Sequence, residues 1–260
     1  MAYEKELEIA LSCARQAGKI QLSSLQNRKN ITIKSDHSPV TEIDRQCESL
    51  IRNAVISCFP DDGFLGEETG CHDSGNGRRW IVDPLDGTRP YIHGIPTYST
   101  LIALEDNKQY VTGVIHFAGL NETYWASFSD GAYCNGERIY VSRTENLKDA
   151  FGSSLGFLEK DGTRSARQLM HAMKQWDYCY GYMDAYSYAG VACGRLDVCV
   201  NLLDKPWDCA AAACIITEAG GKISDIHGNQ TIENGTFIAT NGILHDAVLA
   251  GFSKSEEETS

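Results

Sequence analysis

Apolar residues at Leu7, Ala10, Leu11, Ala14, Ile20 and Leu25 recur near helical spacing in a stretch rich in Glu, Gln and Ala, which predicts one long amphipathic helix over residues 4–26. Ile31-Thr32-Ile33 alternates as a strand does, and after Pro39 residues 41–59 return to a helical period with Thr41 placed to cap it. From Phe64 the texture changes. Short apolar runs broken by Gly, Pro and Asp predict strands at 80–82, 98–104, 110–117 and 122–128, a sheet with several antiparallel neighbours. Beyond Asp149 the pattern is mixed, with helices expected at 163–175, 185–193 and 208–219 and strands near 150–154, 197–200 and 236–240. Helices and sheets should therefore alternate in layers. The sequence has no internal repeat, low-complexity tract or clear linker, and residues 253–260 read as a disordered tail.

Composition narrows the class. With 260 residues, 42% hydrophobic and 22% charged, the chain can build a large core as one domain or two packed halves. The formal net charge is -12, from 35 acidic and 23 basic residues, and no Lys/Arg-rich run is present to track a phosphate backbone, so nucleic-acid polymers are poor partners. The start of the chain lacks a basic segment followed by an apolar one, and the apolar run 209–216 is far shorter than the roughly 20 residues a bilayer requires. No membrane partner and a cytoplasmic location are expected. The 10 cysteines are scattered without CxxC spacing and lie mostly in apolar patterns, which argues against structural zinc and a disulfide framework.

The informative segment is Trp80-Ile81-Val82-Asp83-Pro84-Leu85-Asp86-Gly87-Thr88, where an apolar strand ends in two carboxylates, a proline and a glycine. A carboxylate next to a core costs several kcal/mol unless a cation compensates it, and Mg²⁺ prefers carboxylate, carbonyl and water oxygens. Pro84 stiffens the link, Gly87 admits an anion close to the backbone, and Thr88 begins a helix whose first N–H groups suit a phosphate. The same residues are also good turn formers. Two more segments carry acids in similar settings. Glu67-Glu68 follows Phe64-Leu65-Gly66, and Trp207-Asp208 opens the small-residue helix from Cys209, where Asp208 also fits a plain N-cap.

These three motifs, with Glu218-Ala219-Gly220-Gly221 after the last, resemble the inositol monophosphatase family of metal-dependent, lithium-sensitive phosphatases. The likeness runs from Ser38-Pro39-Val40-Thr41-Glu42-Ile43-Asp44 to Ala239-Thr240-Asn241-Gly242. It implies a layered α-β-α-β-α sandwich of the inositol monophosphatase/fructose-bisphosphatase type, with an α+β half over 1–148, an α/β half over 149–252 and the metal site between them. Residue by residue, Glu67, Asp83, Asp86 and Asp208 match the metal-binding carboxylates, and Leu85 matches the position offering a backbone carbonyl. Gly87 and Thr88 match the phosphate turn, Thr88 and Asp44 the pair that orients the attacking water, and Glu68 an acid near the metals. The resemblance further implies two or three Mg²⁺ ions, hydrolysis of a small phosphate ester by metal-activated water, and a homodimer.

Within the family the histidinol-phosphate branch is most similar. Gly181-Tyr182-Met183-Asp184-Ala185-Tyr186-Ser187-Tyr188 resembles its substrate segment, and an acid at 184 can bind an ammonium or imidazole. Asn201, seven before Asp208, and Tyr180 depart from the usual glutamate and arginine, and Arg89-Pro90 departs from the usual residues after the phosphate turn. Asn can bind a hydroxyl but cannot pair with an ammonium by charge. Inositol phosphate, sugar phosphate, fructose bisphosphate and phosphoadenosine phosphate remain alternative substrates, and a catalytically silent binding protein is the alternative of a different class.

Overall fold

A computed structural model describes residues 2–25, 31–33, 39–158, 160–181 and 184–253, without the side chains of 31–33, 39–41 and 253. The expected Thr41 cap, Ser38, Tyr182, Met183 and the tail beyond Ser253 lie outside these limits. Ser253, expected to begin a disordered tail, instead closes a helix.

Among the described residues the helices are α1 (Glu4–Ser23), α2 (Glu42–Cys58), α3 (Thr88–His93), α4 (Arg164–Met173), α5 (Ala185–Ala192), α6 (Pro206–Glu218) and α7 (His245–Ser253). One sheet has eight strands in the order Glu137–Ile139, Gly131–Cys134, Glu122–Ser127, Gln109–Phe117, Ser99–Asp106, Arg78–Asp86, Gly63–Gly66 and Gly70–His72. Its pairs are antiparallel except that Gly63–Gly66 runs parallel to Arg78–Asp86. A second sheet has five, in the order Tyr178–Tyr180, Phe151–Leu155, Val198–Asn201, Phe237–Thr240 and Lys222–Ser224. The first sheet draws on residues up to 139 and the second on residues from 151 onward.

The layering follows from which face each side chain takes. Successive strand residues point to opposite faces. Trp80, Val82, Ile102, Leu104 and Val114 pack against Leu7, Ala14, Cys47 and Ile51 of α1 and α2. Their neighbours Ile81, Leu101, Ala103 and Ile115 pack instead against α5 and α6. Cys199 and Ala239 of the second sheet reach that same middle layer, whereas Val198, Val200 and Ile238 turn outward to Leu169 of α4 and Val248 of α7. The order is therefore α1/α2, sheet, α5/α6, sheet, α4/α7, the expected α-β-α-β-α sandwich. Helix α6 lies between two sheets, which is why Cys209-Ala210-Ala211-Ala212-Ala213-Cys214-Ile215-Ile216 is buried throughout and built of small residues. Gly113 shows how close the approach is, since a Cβ there would lie 2.5 Å from the Ala211 carbonyl oxygen.

Candidate active site

The Arg78–Asp86 strand carries the acids. It does not end in a turn at Pro84, as the DPLDG pattern suggested. It continues to Asp86, with its register against Ser99–Asp106 shifted between Asp83 and Asp86. Such an irregularity re-aims side chains, and here it sends two carboxylates into one pocket. The unpaired backbone is held from outside: the Pro84 carbonyl accepts the buried Gln21 amide at 3.0 Å and the Thr100 hydroxyl at 3.2 Å.

Each acid is fixed through one oxygen. Asp83 Oδ1 accepts the Leu85 N–H at 3.0 Å. Asp86 Oδ2 accepts the Ser99 hydroxyl at 2.9 Å and the Ala185 N–H at 3.2 Å, which ties the strand to α5. Asp208 is not the residue that opens its helix. Pro206 does, and Asp208 Oδ2 accepts the Lys205 N–H at 2.7 Å from the third helical position. Among the described residues the second oxygens of Asp83, Asp86 and Asp208 have no hydrogen bond, and no Lys or Arg comes within ion-pair distance of these acids, although the Lys205 charge acts on Asp208 from further off. One carboxylate oxygen from each of the three comes within 4.8 Å of the others.

Glu67 stands outside that trio and lines the same pocket. Its N–H donates to the Val82 carbonyl at 3.2 Å, which sets it beside Asp83. A residue that sequence reasoning missed secures its loop: Glu48 of α2, fully buried, accepts the Glu68 and Thr69 N–H groups at 2.8 and 2.7 Å. Gly66 makes room for it, since a Cβ at 66 would lie 2.6 Å from the Glu48 carboxylate. The available signal was two acids, Asp44 and Glu48, sharing the buried helix face with Cys47, Ile51 and Val55.

At the other end of the strand, Gly87 adopts φ 73°, in the left-handed region, and is followed by α3. Thr88 Oγ1 lies 3.1 Å from the Leu85 carbonyl and 3.3 Å from Oδ1 of the buried Asp44, so the expected Thr88–Asp44 pair does meet. Burial and the neighbouring acids push the carboxyls up. For Asp83 the cause is desolvation, then Glu67, Asp86 and Asp208. For Asp86 it is desolvation, then Asp184 and Asp208. Desolvation, with Glu67 and Asp184 adding to it against the N–H and the charge of Lys205, brings Asp208 to about 7.

Six carboxylates, of Glu67, Asp83, Asp86, Asp184, Asp204 and Asp208, wall a pocket of about 410 Å³ in which Arg89 is the one basic lining residue among those described. Asp184 heads α5 at φ 46°, ψ -135°, without a side-chain capping bond. Desolvation raises its pKa and Arg89 opposes the rise. Asn201 also lines the pocket, but its amide is committed to Asp204 and Tyr188, and its carbonyl oxygen to the Leu203 N–H. Tyr188 closes the segment that resembles the substrate segment, whereas Asp204 was missed in the sequence, where nothing distinguishes a lone acid in Leu202-Leu203-Asp204-Lys205 from a loop residue. Tyr180 is exposed and is not part of the pocket lining.

An α-β-α-β-α sandwich with a cluster of buried acids over its middle layer defines a class, and the comparisons agree with it. The chain belongs to the inositol monophosphatase family, a family of metal-dependent phosphatases, whose model matches residues 2–257. A histidinol-phosphatase of Chlorobaculum parvum is 39% identical over 264 positions, covering 97% of this chain and 98% of that protein. A fructose-1,6-bisphosphatase/inositol-1-monophosphatase of Thermotoga maritima is 33% identical, covering 97% of each. The crystal structure of the extragenic suppressor protein suhB from Bartonella henselae superposes with a TM-score of 0.89 at 29% identity, covering 97% of this chain and 100% of that one. No helix among the described residues is long and apolar enough to cross a membrane.

Proposed function

We propose that this chain is a Mg²⁺-dependent phosphomonoesterase acting on a small polar metabolite phosphate, with histidinol phosphate as the favoured substrate. The observation that carries the reading is the half-committed state of Asp83, Asp86 and Asp208, each with one oxygen fixed by a neutral donor and the other without a hydrogen bond, in a site where no Lys or Arg pairs with them among the described residues. Such an all-oxygen donor set fits a hard dication and suits a thiophilic metal poorly. Glu67 and the Leu85 carbonyl would complete it. Bound there, Mg²⁺ would supply Lewis acidity and positive charge for phosphoryl transfer and water activation.

The chain's own groups do the rest. Gly87, lacking a Cβ, lets the phosphate approach the backbone at the start of α3, where the leading N–H groups have no helical acceptor. When Thr88 donates its one proton to Asp44, its oxygen is left to accept a hydrogen bond from the attacking water and orient it. Support for histidinol phosphate is the name of the C. parvum relative and the acid-rich wall, which suits a cationic ester. A neutral polyol phosphate such as inositol 1-phosphate is the second reading, favoured by Asn201, a neutral side chain on the same wall, and by the T. maritima relative. A cytoplasmic homodimer belongs to the same proposal through the family likeness.

Phosphate release from a panel of metabolite phosphates in Mg²⁺ tests the reading, and excess EDTA should abolish turnover. Full activity in EDTA would remove the metal from the proposal. Silence on every ester would favour a binding protein on this fold.

A further inference from the structure

Beside the acids assigned to the metal, the pocket holds a further carboxylate whose surroundings are complete in every respect but one. Asp204 is only 3% exposed. Its Oδ1 accepts the Asn201 amide at 2.5 Å and its Oδ2 accepts the Tyr188 hydroxyl at 2.5 Å. The second amide hydrogen of Asn201 goes to the Tyr188 oxygen at 3.2 Å, and the Asn201 carbonyl oxygen is turned away by the Leu203 N–H at 3.0 Å. Every proton in this triangle thus points toward Asp204 or toward the hydroxyl that donates to it. Both oxygens of Asp204 accept hydrogen bonds and neither is met by an acceptor, so the donors around it favour the anion. What is missing is a positive charge: no Lys or Arg pairs with Asp204 among the described residues, and burial, then the like charge of Asp208 and, after the opposing Tyr188 hydrogen bond, that of Asp184, push its carboxyl well above the usual range, so the anion is complete only with a cation beside it.

A buried anion without a cation is costly, and one whose side chain lines a ligand pocket can receive its cation from the ligand. Asp184 is less in need of one, because Arg89 already faces it. Asp204 is also absent from the trio of acids close enough to share a metal ion.

We propose that Asp204, held by Asn201 and Tyr188, is the specificity-determining anion of the pocket and binds an ammonium group on the leaving alcohol, which makes the preferred substrates amine-bearing phosphate esters. This rests on the phosphatase reading above. It also gives Asn201 a different part from contacting the substrate: with its amide engaged, Asn201 positions Asp204. The burial that disfavours the bare anion is what strengthens its hold on a cation beside it.

The test pairs two esters that differ in one group, histidinol phosphate and its desamino analogue imidazolylpropyl phosphate, assayed on the full chain with saturating Mg²⁺. In the wild type, kcat/KM should favour the amine by at least about tenfold, carried by KM, as expected for a charge-assisted contact. In Asp204→Asn that ratio should fall by about tenfold or more, whereas Asp184→Asn should leave more of it. An unchanged ratio in Asp204→Asn, or its collapse in Asp184→Asn alone, overturns the proposal. A loss of affinity for Mg²⁺ in Asp204→Asn with the ratio intact would make Asp204 a metal-site residue and overturns it too. Should Asp204→Asn fail to fold, a wild type indifferent to the missing amine suffices to refute the idea. If the wild type hydrolyses neither these esters nor any other, the phosphatase reading has failed; if it hydrolyses neutral esters alone, only the assignment of Asp204 has.

Discussion

At Asp83, asparagine can keep the contact with the Leu85 N–H through its carbonyl oxygen while removing the charge that the unbonded oxygen brings to the acid cluster. Asp83→Asn should therefore fold, and should gain rather than lose stability in EDTA because a buried charge is gone. Turnover in Mg²⁺ should fall by about a hundredfold or more, on the scale seen when other stabilisers of transition-state charge are removed. Activity within a factor of a few of the wild type would reduce Asp83 to a backbone-shaping residue. Asp184 poses a subtler question. Its carboxylate contacts the pocket at a strained backbone position that asparagine tolerates about as well, so Asp184→Asn isolates charge from shape. If it also reads the cationic end of the ester, a partly desolvated contact worth about 1.5–3 kcal/mol is lost for histidinol phosphate and never existed for inositol 1-phosphate. Measuring kcat/KM for both esters on both proteins cancels general damage. Equal losses would make Asp184 a structural residue.

At the scale of elements, α6 couples packing to the site. Its small residues let it sit against Gly113, and its first turn carries Asp208. Gly113→Ala would place a methyl 2.5 Å from the Ala211 carbonyl oxygen and 2.9 Å from Cys214 Cβ, so either strand or helix must shift. We expect a loss of about 1–3 kcal/mol in urea unfolding, as for other overpacked cores, together with a raised Mg²⁺ requirement as Asp208 moves. Lost stability with an unaltered Mg²⁺ dependence would show that the helix absorbs the strain without moving its first turn. The same helix shows what could be read from the sequence. Its all-round apolar run announced a buried element, and Trp80-Ile81-Val82 a buried strand, because both patterns are properties of single segments. The shift between Asp83 and Asp86 was not legible, since a proline and a glycine flanking two acids read as a turn unless the neighbouring strand is known to continue alongside. Strands Gly70–His72 and Tyr178–Tyr180 escaped notice for another reason. Both are three-residue edge strands with largely exposed side chains, so burial imposes no alternation on them. Glu48 and Asp204 share a third cause: their roles are set by contacts 20 residues away, to Glu68, and 16 residues away, to Tyr188.

Across the whole molecule, the acid cluster links stability, pH and metal. In the metal-free chain Asp208 titrates near 7, against 3.8 for an ordinary aspartate, with desolvation the main cause, and Asp83 and Asp86 are shifted in the same direction. Through Asp208 the folded chain therefore holds a proton between about pH 4 and 7 that the unfolded one has lost, and Asp83 and Asp86 act in the same direction. By linkage, the stability that Asp208 contributes is present below about pH 4 and is lost as pH rises through that window. Mg²⁺ acts against this cost, because it binds the ionised carboxylates of the folded state and must displace protons to do so at low pH. Its stabilisation should consequently be larger at pH 8 than at pH 5.5. At a hundred times its dissociation constant a ligand adds about 2.7 kcal/mol, which for a chain of this size raises Tm by roughly 5 °C or more. Thermal unfolding with and without Mg²⁺ at the two pH values measures the difference directly, and Asp208→Asn, which removes the most clearly placed of these titrations, should narrow it. A Mg²⁺ shift that is equal at both pH values, or larger at pH 5.5, would mean that the ion binds elsewhere on this acidic surface and that the cluster of Asp83, Asp86 and Asp208 is not its site.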